Sequence, residues 1–392
     1  MADDPSSPPD ADGGAPAEDD ARPRPLNAPG RGDGSGGKTG KKAEEPKGFW
    51  ARQWKGWIRP IGVTVLVVVL IRTWAVDWND VPSGSMEARD SVLTGDRVVV
   101  WKSAYDARMP WPLPFLSELR KFDFFRYSGP GRGDVVTFWN PQTDVRMIKR
   151  IVAIPGDTIT MRRGELRIVD ANGNDVPVTY QDVSTSPLRR LPGSADQWYD
   201  YIETIGGESH TIQRAQPMGG LNETRLAQLG PIPGVGQLSV RDSRLMLNDD
   251  EVEIAVWRDA LFRAYQFAEG MPTQTQQQQR QRDGVIGLLR ATQIAQLRTN
   301  FGPITLQDYP GRDDADQYWC MGDNRDNSSD SRFFGVPTVN YRPIRWPTKP
   351  SELQAGQLRV TSRDITGKVF AIAWSLDQNW VPRWGRFFNG VD

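Results

Sequence analysis

Two serines, one histidine and a lysine set among apolar neighbours are the residues of this chain whose types and spacing could do covalent chemistry. The stretch "VPSGSMEARD" (81–90) puts Ser83 and Ser85 on either side of a glycine, a few residues beyond the one strongly apolar run. A serine hydroxyl becomes a nucleophile at neutral pH only when a base takes its proton. A Ser-His-Asp site would have to use His210, the single histidine, and that count also excludes a histidine zinc cluster. His210 stands in "GESHTIQR", an irregular region with no triad-like acidic or glycine framework. The other base is a lysine held neutral. Lys149, in "TDVRMIKRIVAIPGD", is the best candidate. Strand alternation sets Val145, Met147 and Ile151 on its face, and desolvation lowers the pKa of an ammonium. Bringing it from about 10.4 to near 7 costs roughly 4–5 kcal/mol. Taken alone the signal is weak, because a lysine on a strand usually carries its head to water. A third segment, "MGDNRDNSSDSRFFGVP" (321–337), packs Gly, Asp, Asn and Ser with two arginines. It reads either as a polar surface loop or as a buried network of donors and acceptors able to hold an ammonium.

The rest of the chain must position these groups. Residues 1–48 are rich in Pro, Gly, Ala, Asp and Lys and hold almost no large aliphatic side chains, the composition of a disordered tail. "WIRPIGVTVLVVVLIRTWAVDW" (57–78) is then apolar and β-branched. From Pro60 to Val76 it offers roughly 25 Å of helix, the short end for a membrane span. Arg72 lies near enough to the end to snorkel, and Trp74 and Trp78 suit the interface. We therefore expect a transmembrane helix over 56–77. Seven Lys or Arg fall between Lys38 and Arg59, against only Arg72 and Arg89 between Pro60 and Asp90. The positive-inside rule puts the N-terminus in the cytoplasm and the bulk of the chain outside. A cleaved secretory signal would need a small-x-small site, which "TWAVDWND" lacks; a buried core helix fits poorly with the basic lead and the flanking tryptophans. Asp77 marks the outer edge of the expected span, and Ser85 follows within at most about 28 Å of extended chain. Either hydroxyl must act close to the bilayer.

From Val92 onward "DRVVVW", "DVVTFW", "MIKRIVAI", "DTITMRR", "ELRIV" and, late in the chain, "KVFAIAW" are short β-branched runs broken by Gly, Pro and Asp. The expected fold is mostly β, an antiparallel sandwich-like or barrel-like domain formed by 78–170 and 318–392. An α+β insert over 171–317 separates the two parts. It holds two helices, around "EIAVWRDALFRAYQFA" and "GVIGLLRATQIAQLR", joined by a Gln-rich solvated loop near 273–282. The aromatic segment "MPWPLPFLSELRKFDFF" (109–125) packs in a core or dips into the interface. A formal charge of −1 argues against a nucleic-acid partner, and Cys320, alone, forms no internal disulfide.

Four segments in order after the apolar run resemble the bacterial type I signal peptidases: "VPSGSM" with a following "GD", "RGDVVTF", "KRIVAIPGD" and "GDNRDNSSDSRFFGVP". Together they cover about a quarter of the chain. The resemblance implies a membrane-bound serine endopeptidase of mostly antiparallel β fold that removes signal peptides from secretory preproteins without metal or cofactor. It matches Ser85 to the nucleophile and Lys149 to the general base. Ser83 matches the hydroxyl that joins the Ser85 backbone N–H in the oxyanion hole. Ser328 matches the residue that orients the lysine, and Asp330 and Arg332 the supporting pair. Val81, Met86 and Ile148 match the lining of pockets for small side chains at the first and third positions before the scissile bond. The implied partners are preproteins, membrane lipid and a neighbouring translocase; the implied place is the plasma (inner) membrane, single-pass, with the catalytic domain on the periplasmic side. The chain departs from the family pattern at Ala88, where proline is usual, in the longer "EARDSVLTGD" and in the shorter "FFGVP", which alters local loop geometry. Two rivals remain in view. A self-cleaving repressor-type Ser-Lys peptidase lacks the span and the third motif, and a non-cleaving scaffold of the same fold has no need of the complete serine and lysine set.

Overall fold

β-Branched runs favour the pleated, half-buried surface of a sheet, and here four of the six assemble, with three further strands, into one antiparallel sheet of seven strands. The computed structural model describes residues 48, 54–108, 123–126, 128–183, 198–215, 230–309, 315–337, 346–377 and 379–391. Its main strands are β1 (Val76–Asp80), β2 (Asp96–Trp101), β3 (Val135–Trp139), β4 (Arg146–Ala153), β5 (Gln317–Met321), β6 (Val360–Thr361) and β7 (Ile365–Ser375). Their order is β1-β2-β7-β3-β4-β5-β6, with every pairing antiparallel. The described residues from Ile61 onward form one compact unit, and the site lies in it.

Alternation along the strands gives the sheet two apolar faces. On β3, Val135 joins Val81, Met86, Val98, Val100 and Val369. Its neighbours Val136 and Phe138 join Ile151, Tyr318, Cys320, Phe334 and Ile365 on the other face. Each such side chain, fully buried, contributes roughly 1.5–3 kcal/mol. A second, four-stranded sheet is built on the hairpin Thr158–Arg162/Glu165–Val169. Arg163 and Gly164 between these strands both have positive φ (52° and 86°), as a two-residue type I′ turn requires.

The insert contains two three-stranded sheets, one of Val178–Asp182, Tyr199–Ile205 and Glu208–Arg214, the other of Leu238–Arg241, Arg244–Leu247 and Asp250–Glu251. The second packs against a helix pair, Ile254–Glu269 and Gln276–Thr299, through a core that includes Leu238, Trp257, Leu261, Tyr265 and Leu289. The glutamine run expected as a loop is helical instead. Thr275 caps it: its hydroxyl accepts from Gln278 N at 3.2 Å while the Gln278 side chain accepts from Thr275 N at 3.1 Å. That capping box starts the helix, and glutamine is a good helix former. The run is polar and mostly exposed, yet regular.

The helix expected over 56–77 is Arg59–Trp74, 16 residues, directly preceded by the π-turn Trp54–Ile58. At Ala75 its carbonyl accepts from Lys102 N (2.8 Å) and the chain enters β1, so Val76 and Asp77 are sheet residues. No described helix is long and apolar enough to cross a membrane. Most of the expected tail, and 109–122 of the aromatic segment, lie outside the described residues; Asp123–Arg126 pairs with Asp106–Arg108.

Candidate active site

The serine turn follows β1 directly. Val81 N donates to Asp96 O and Gly95 N to Val81 O, both at 2.9 Å, which anchors the exit of the strand. Val81 and Met86 are buried in one apolar cluster, so the intervening residues form a short 3₁₀ turn, Gly84–Met86, pinned at both ends. Ser83 stands at its N-cap, yet its hydroxyl does not cap the turn; it lies 3.5 Å from Ser85 Oγ. Ser85 is second in the turn, where backbone N–H groups have no partner within the turn. Ile148 is packed against the Val81 and Met86 cluster, so all three residues matched to the substrate pockets border one apolar surface.

Lys149 sits on β4 opposite Val136 and is 1% exposed. Its Nζ donates to Ser85 Oγ at 2.7 Å and to Ile148 O at 2.8 Å. Met147 and Ile151 belong to the apolar cluster on one face of β4, whereas Val145, expected beside them, is 58% exposed because the strand begins only at Arg146. Burial lowers the Lys149 pKa to about 8, against the pull of the Asp330 and Asp323 carboxylates, which raise it. An amine in that state is neutral often enough to take a proton and still basic enough to hold one.

The last motif is buried, not a surface loop. Arg332 makes two hydrogen bonds of 2.8 Å to Asp330, and Gly322 N adds a third to the same carboxylate at 3.1 Å. Burial pushes the Asp330 carboxyl up, but Arg332 outweighs it and holds it below the usual range. Asn324 fastens the motif to the serine turn: its N donates to Ser85 O (3.3 Å) and its Nδ2 to Gly84 O (3.0 Å). Ser328, expected to orient the lysine, is buried beside Gly322, and its hydroxyl has no hydrogen bond to the Lys149 amine. Gly322 allows this packing. A Cβ there would fall inside van der Waals contact with Ser85 O and Ser328 Oγ, and a backbone oxygen cannot move aside cheaply. Gly322→Ala is therefore expected to cost about 1–3 kcal/mol of stability and to lower kcat/KM at least about tenfold, measurable by denaturant melts and peptide turnover.

Several residues of the site escaped the sequence reading. Asp323 accepts two hydrogen bonds from Arg150 (2.9 and 2.8 Å) and one from Ser91, all buried. Arg325 pairs with Glu203 on the strand Tyr199–Ile205, with one hydrogen bond of 2.8 Å, and His210 Nε2 lies 2.9 Å from the same carboxylate. His210 thus stands in a regular strand beside an acid, and among the described residues neither of its ring nitrogens is hydrogen-bonded to a serine. Burial, and then Arg150, lowers its pKa. The insert also touches the motif through its backbone: Gln213 N donates to Asp323 O (2.8 Å) and Arg325 N to Gln213 O (2.9 Å). Glu203→Ala would leave a buried guanidinium unpaired, and a loss of about 3–5 kcal/mol in unfolding free energy is expected, read from the denaturant midpoint. The signals available were the arginine of "GDNRD" and the arginine after Lys149, each of which needs a carboxylate when buried.

Comparison with protein families matches residues 54–209 and 232–342, more than half of the chain, to the signal peptidase, peptidase S26 family. The chain belongs to this family. It is similar to signal peptidase I of Pseudomonas aeruginosa, 28% identical over 151 residues that cover 38% of this chain and 46% of that protein. Signal peptidase I of Buchnera aphidicola is 32% identical over 96 residues, 24% and 28% of the two chains. Signal peptidase I of Leptolyngbya laminosa is 26% identical over 197 residues, 45% and 84%. The chain spans less than half the length of the first two relatives.

Proposed function

We propose that this family member is a membrane-bound serine endopeptidase that removes N-terminal signal peptides from secretory preproteins, using Ser85 and Lys149. The observation that carries the reading is the 2.7 Å contact between the Lys149 amine and the Ser85 hydroxyl, made where the amine is desolvated. Neutral Lys149 takes the Ser85 proton as the oxygen attacks the scissile carbonyl. The oxyanion collects hydrogen bonds from the Ser83 hydroxyl and the Ser85 N–H, donors that act on charge present only in the transition state. The Lys149 ammonium then gives its proton to the leaving amine. A water, deprotonated by the same amine, splits the acyl-enzyme and restores Ser85. Asp330 and Arg332 hold the segment against which Lys149 rests, while Ser328 fills the space beside Gly322. Val81, Met86 and Ile148 border the pockets for small side chains at the first and third positions before the cut.

The chain is proposed to be anchored by its apolar helix, N-terminus in the cytoplasm and catalytic domain on the outer side, near the translocase. Helical backbone is continuous from Trp54 to Trp74, and Ile61, Val63, Val65, Leu66, Val67 and Val68 are 45–56% exposed around the helix. An apolar helix exposed on every side is stable in lipid and poorly so in water. Anchoring confines enzyme and tethered preprotein to one surface and raises their effective concentration. The test is incubation of the purified full-length chain with a labelled preprotein in vesicles. One new N-terminus at the signal junction is expected; an intact, bound preprotein would overturn the reading in favour of a scaffold.

A further inference from the structure

Two strand edges are left open beside Ser85. Among the described residues β1 is the outermost strand of the main sheet and pairs with β2 alone. β4 pairs with β5 only from Arg150 onward, so residues 146–149 have β3 on one side and, among the described residues, no strand on the other. The sheet curls until these edges face one another. At one end Lys149 meets Ser85. At the other, Arg146 Nη1 donates to Asn79 Oδ1 at 2.7 Å and stands 3.5 Å from Asp77 Oδ2. A slot between two unpaired edges accepts an extended peptide as an added strand.

Arg146 is a held group in that slot. Its guanidinium lies 5.0 Å from the ring centroid of Trp139, the residue opposite it on β3. Its hydrogen bond to Asn79 uses one of five donors, its side chain is 34% exposed, and Asp77 beside it is shared with Lys102 Nζ at 3.4 Å. Among the described residues Asn79 Nδ2, next to the guanidinium, is buried without a hydrogen-bond partner. The end of the slot away from Ser85 therefore offers unused donors, one of them on a fixed cation.

We propose that Arg146 is a specificity-determining residue that favours an acidic side chain, and rejects a basic one, at the fourth or fifth position before the scissile bond. The inference rests on the peptidase reading above and assigns the substrate chemistry of the same site. The spacing sets the position. Arg146 precedes Lys149 by three strand residues, about 10 Å, and an extended peptide alongside advances at the same rate. Alternation puts Arg146 and Ile148 on one face of β4, so Arg146 continues outward the row that borders the pockets for the first and third residues.

The experiment uses the full chain in detergent with peptides identical except for Glu, Ala or Lys at the fourth or the fifth position. For one of the two positions the ratio of kcat/KM for Glu over Lys is expected to be about tenfold or more. It should fall below one in Arg146→Glu and rise further in Asp77→Asn, where the amide keeps an oxygen for the Trp78 N–H that now donates to Asp77 Oδ1 at 3.0 Å. The two variants move the ratio in opposite directions, so either one that folds carries the test. A ratio near one at both positions, or one that neither substitution shifts, would overturn the assignment. Failure of the wild-type chain to cut the Ala peptides would instead refute the peptidase reading, because no charge at those positions is involved.

Discussion

Ser85→Ala and Lys149→Met each lower kcat/KM for preprotein cleavage by at least about a thousandfold, with the folded state retained. The first removes the hydroxyl to which the Lys149 amine is hydrogen-bonded; the second removes the proton acceptor without which a serine hydroxyl stays inert at neutral pH. Groups that act as one unit are non-additive, so the double variant should be no slower than the worse single one. Loss of fold is not the cause in the lysine case. Burial brings the Lys149 pKa from 10.5 down to about 8, which corresponds to about 3 kcal/mol spent on keeping an ammonium out of water at pH 7. Methionine has a similar reach, carries no charge and suits the apolar cluster formed by Met147 and Ile151. Lys149→Met should therefore unfold at the same or a higher denaturant concentration than the wild-type chain. Cleavage that survived in either single variant would remove the dyad from the mechanism.

The parts of this arrangement that could be read from the sequence are those written locally. β-Branched runs between Gly, Pro and Asp announce an antiparallel, mostly β fold; four of the six quoted runs are strands of the main sheet, and "DTITMRR" and "ELRIV" form the hairpin of the four-stranded sheet. Ser85, Lys149 and the segment from Gly322 to Arg332 stood out because each is a compact cluster of types with a chemical use. What stayed hidden is written across the chain. Asp323 meets Arg150 from 173 residues away, and Arg325 meets Glu203 from 122 residues away; no periodicity encodes such a pairing. The strand that holds His210 reads as irregular chain because its inward-facing positions are His210, Ile212 and Arg214. Two polar residues in three break the apolar alternation by which a strand is recognised. The glutamine run differs in the opposite way: low complexity reads as a loop, yet the Thr275 capping box starts a helix there. The apolar run hid its own end: nothing in "TWAVDW" stops a helix, and the stop comes from pairing with Trp101 and Lys102.

Cleavage should climb with pH along a limb centred near 8. Burial, the largest influence on Lys149, disfavours the charged amine and brings its pKa down to about 8, while Asp330 and Asp323 restrain the fall. Only the neutral amine accepts the serine proton. Its share is about half at pH 8, about 1% at pH 6 and about 0.1% at pH 5, so kcat/KM drops roughly tenfold per pH unit and about 500-fold from pH 8 to pH 5. Stability has the same sign by linkage. Between about 8 and about 10.5 the native amine is neutral while the unfolded chain still holds its proton, so this group makes stability rise with pH across that window. Asp330→Asn discriminates a titrating lysine from general acid damage. It deletes the first of the carboxylates that raise the lysine pKa and leaves Arg332, which lowers it, without its partner. Both changes favour the neutral amine, so the limb should move to lower pH even as the maximal rate falls. Acid damage to the fold would move it the other way, because a buried guanidinium without its carboxylate makes the protein easier to unfold. A rate that stayed flat from pH 8 to pH 5 would mean that the proton leaves Ser85 for some other base.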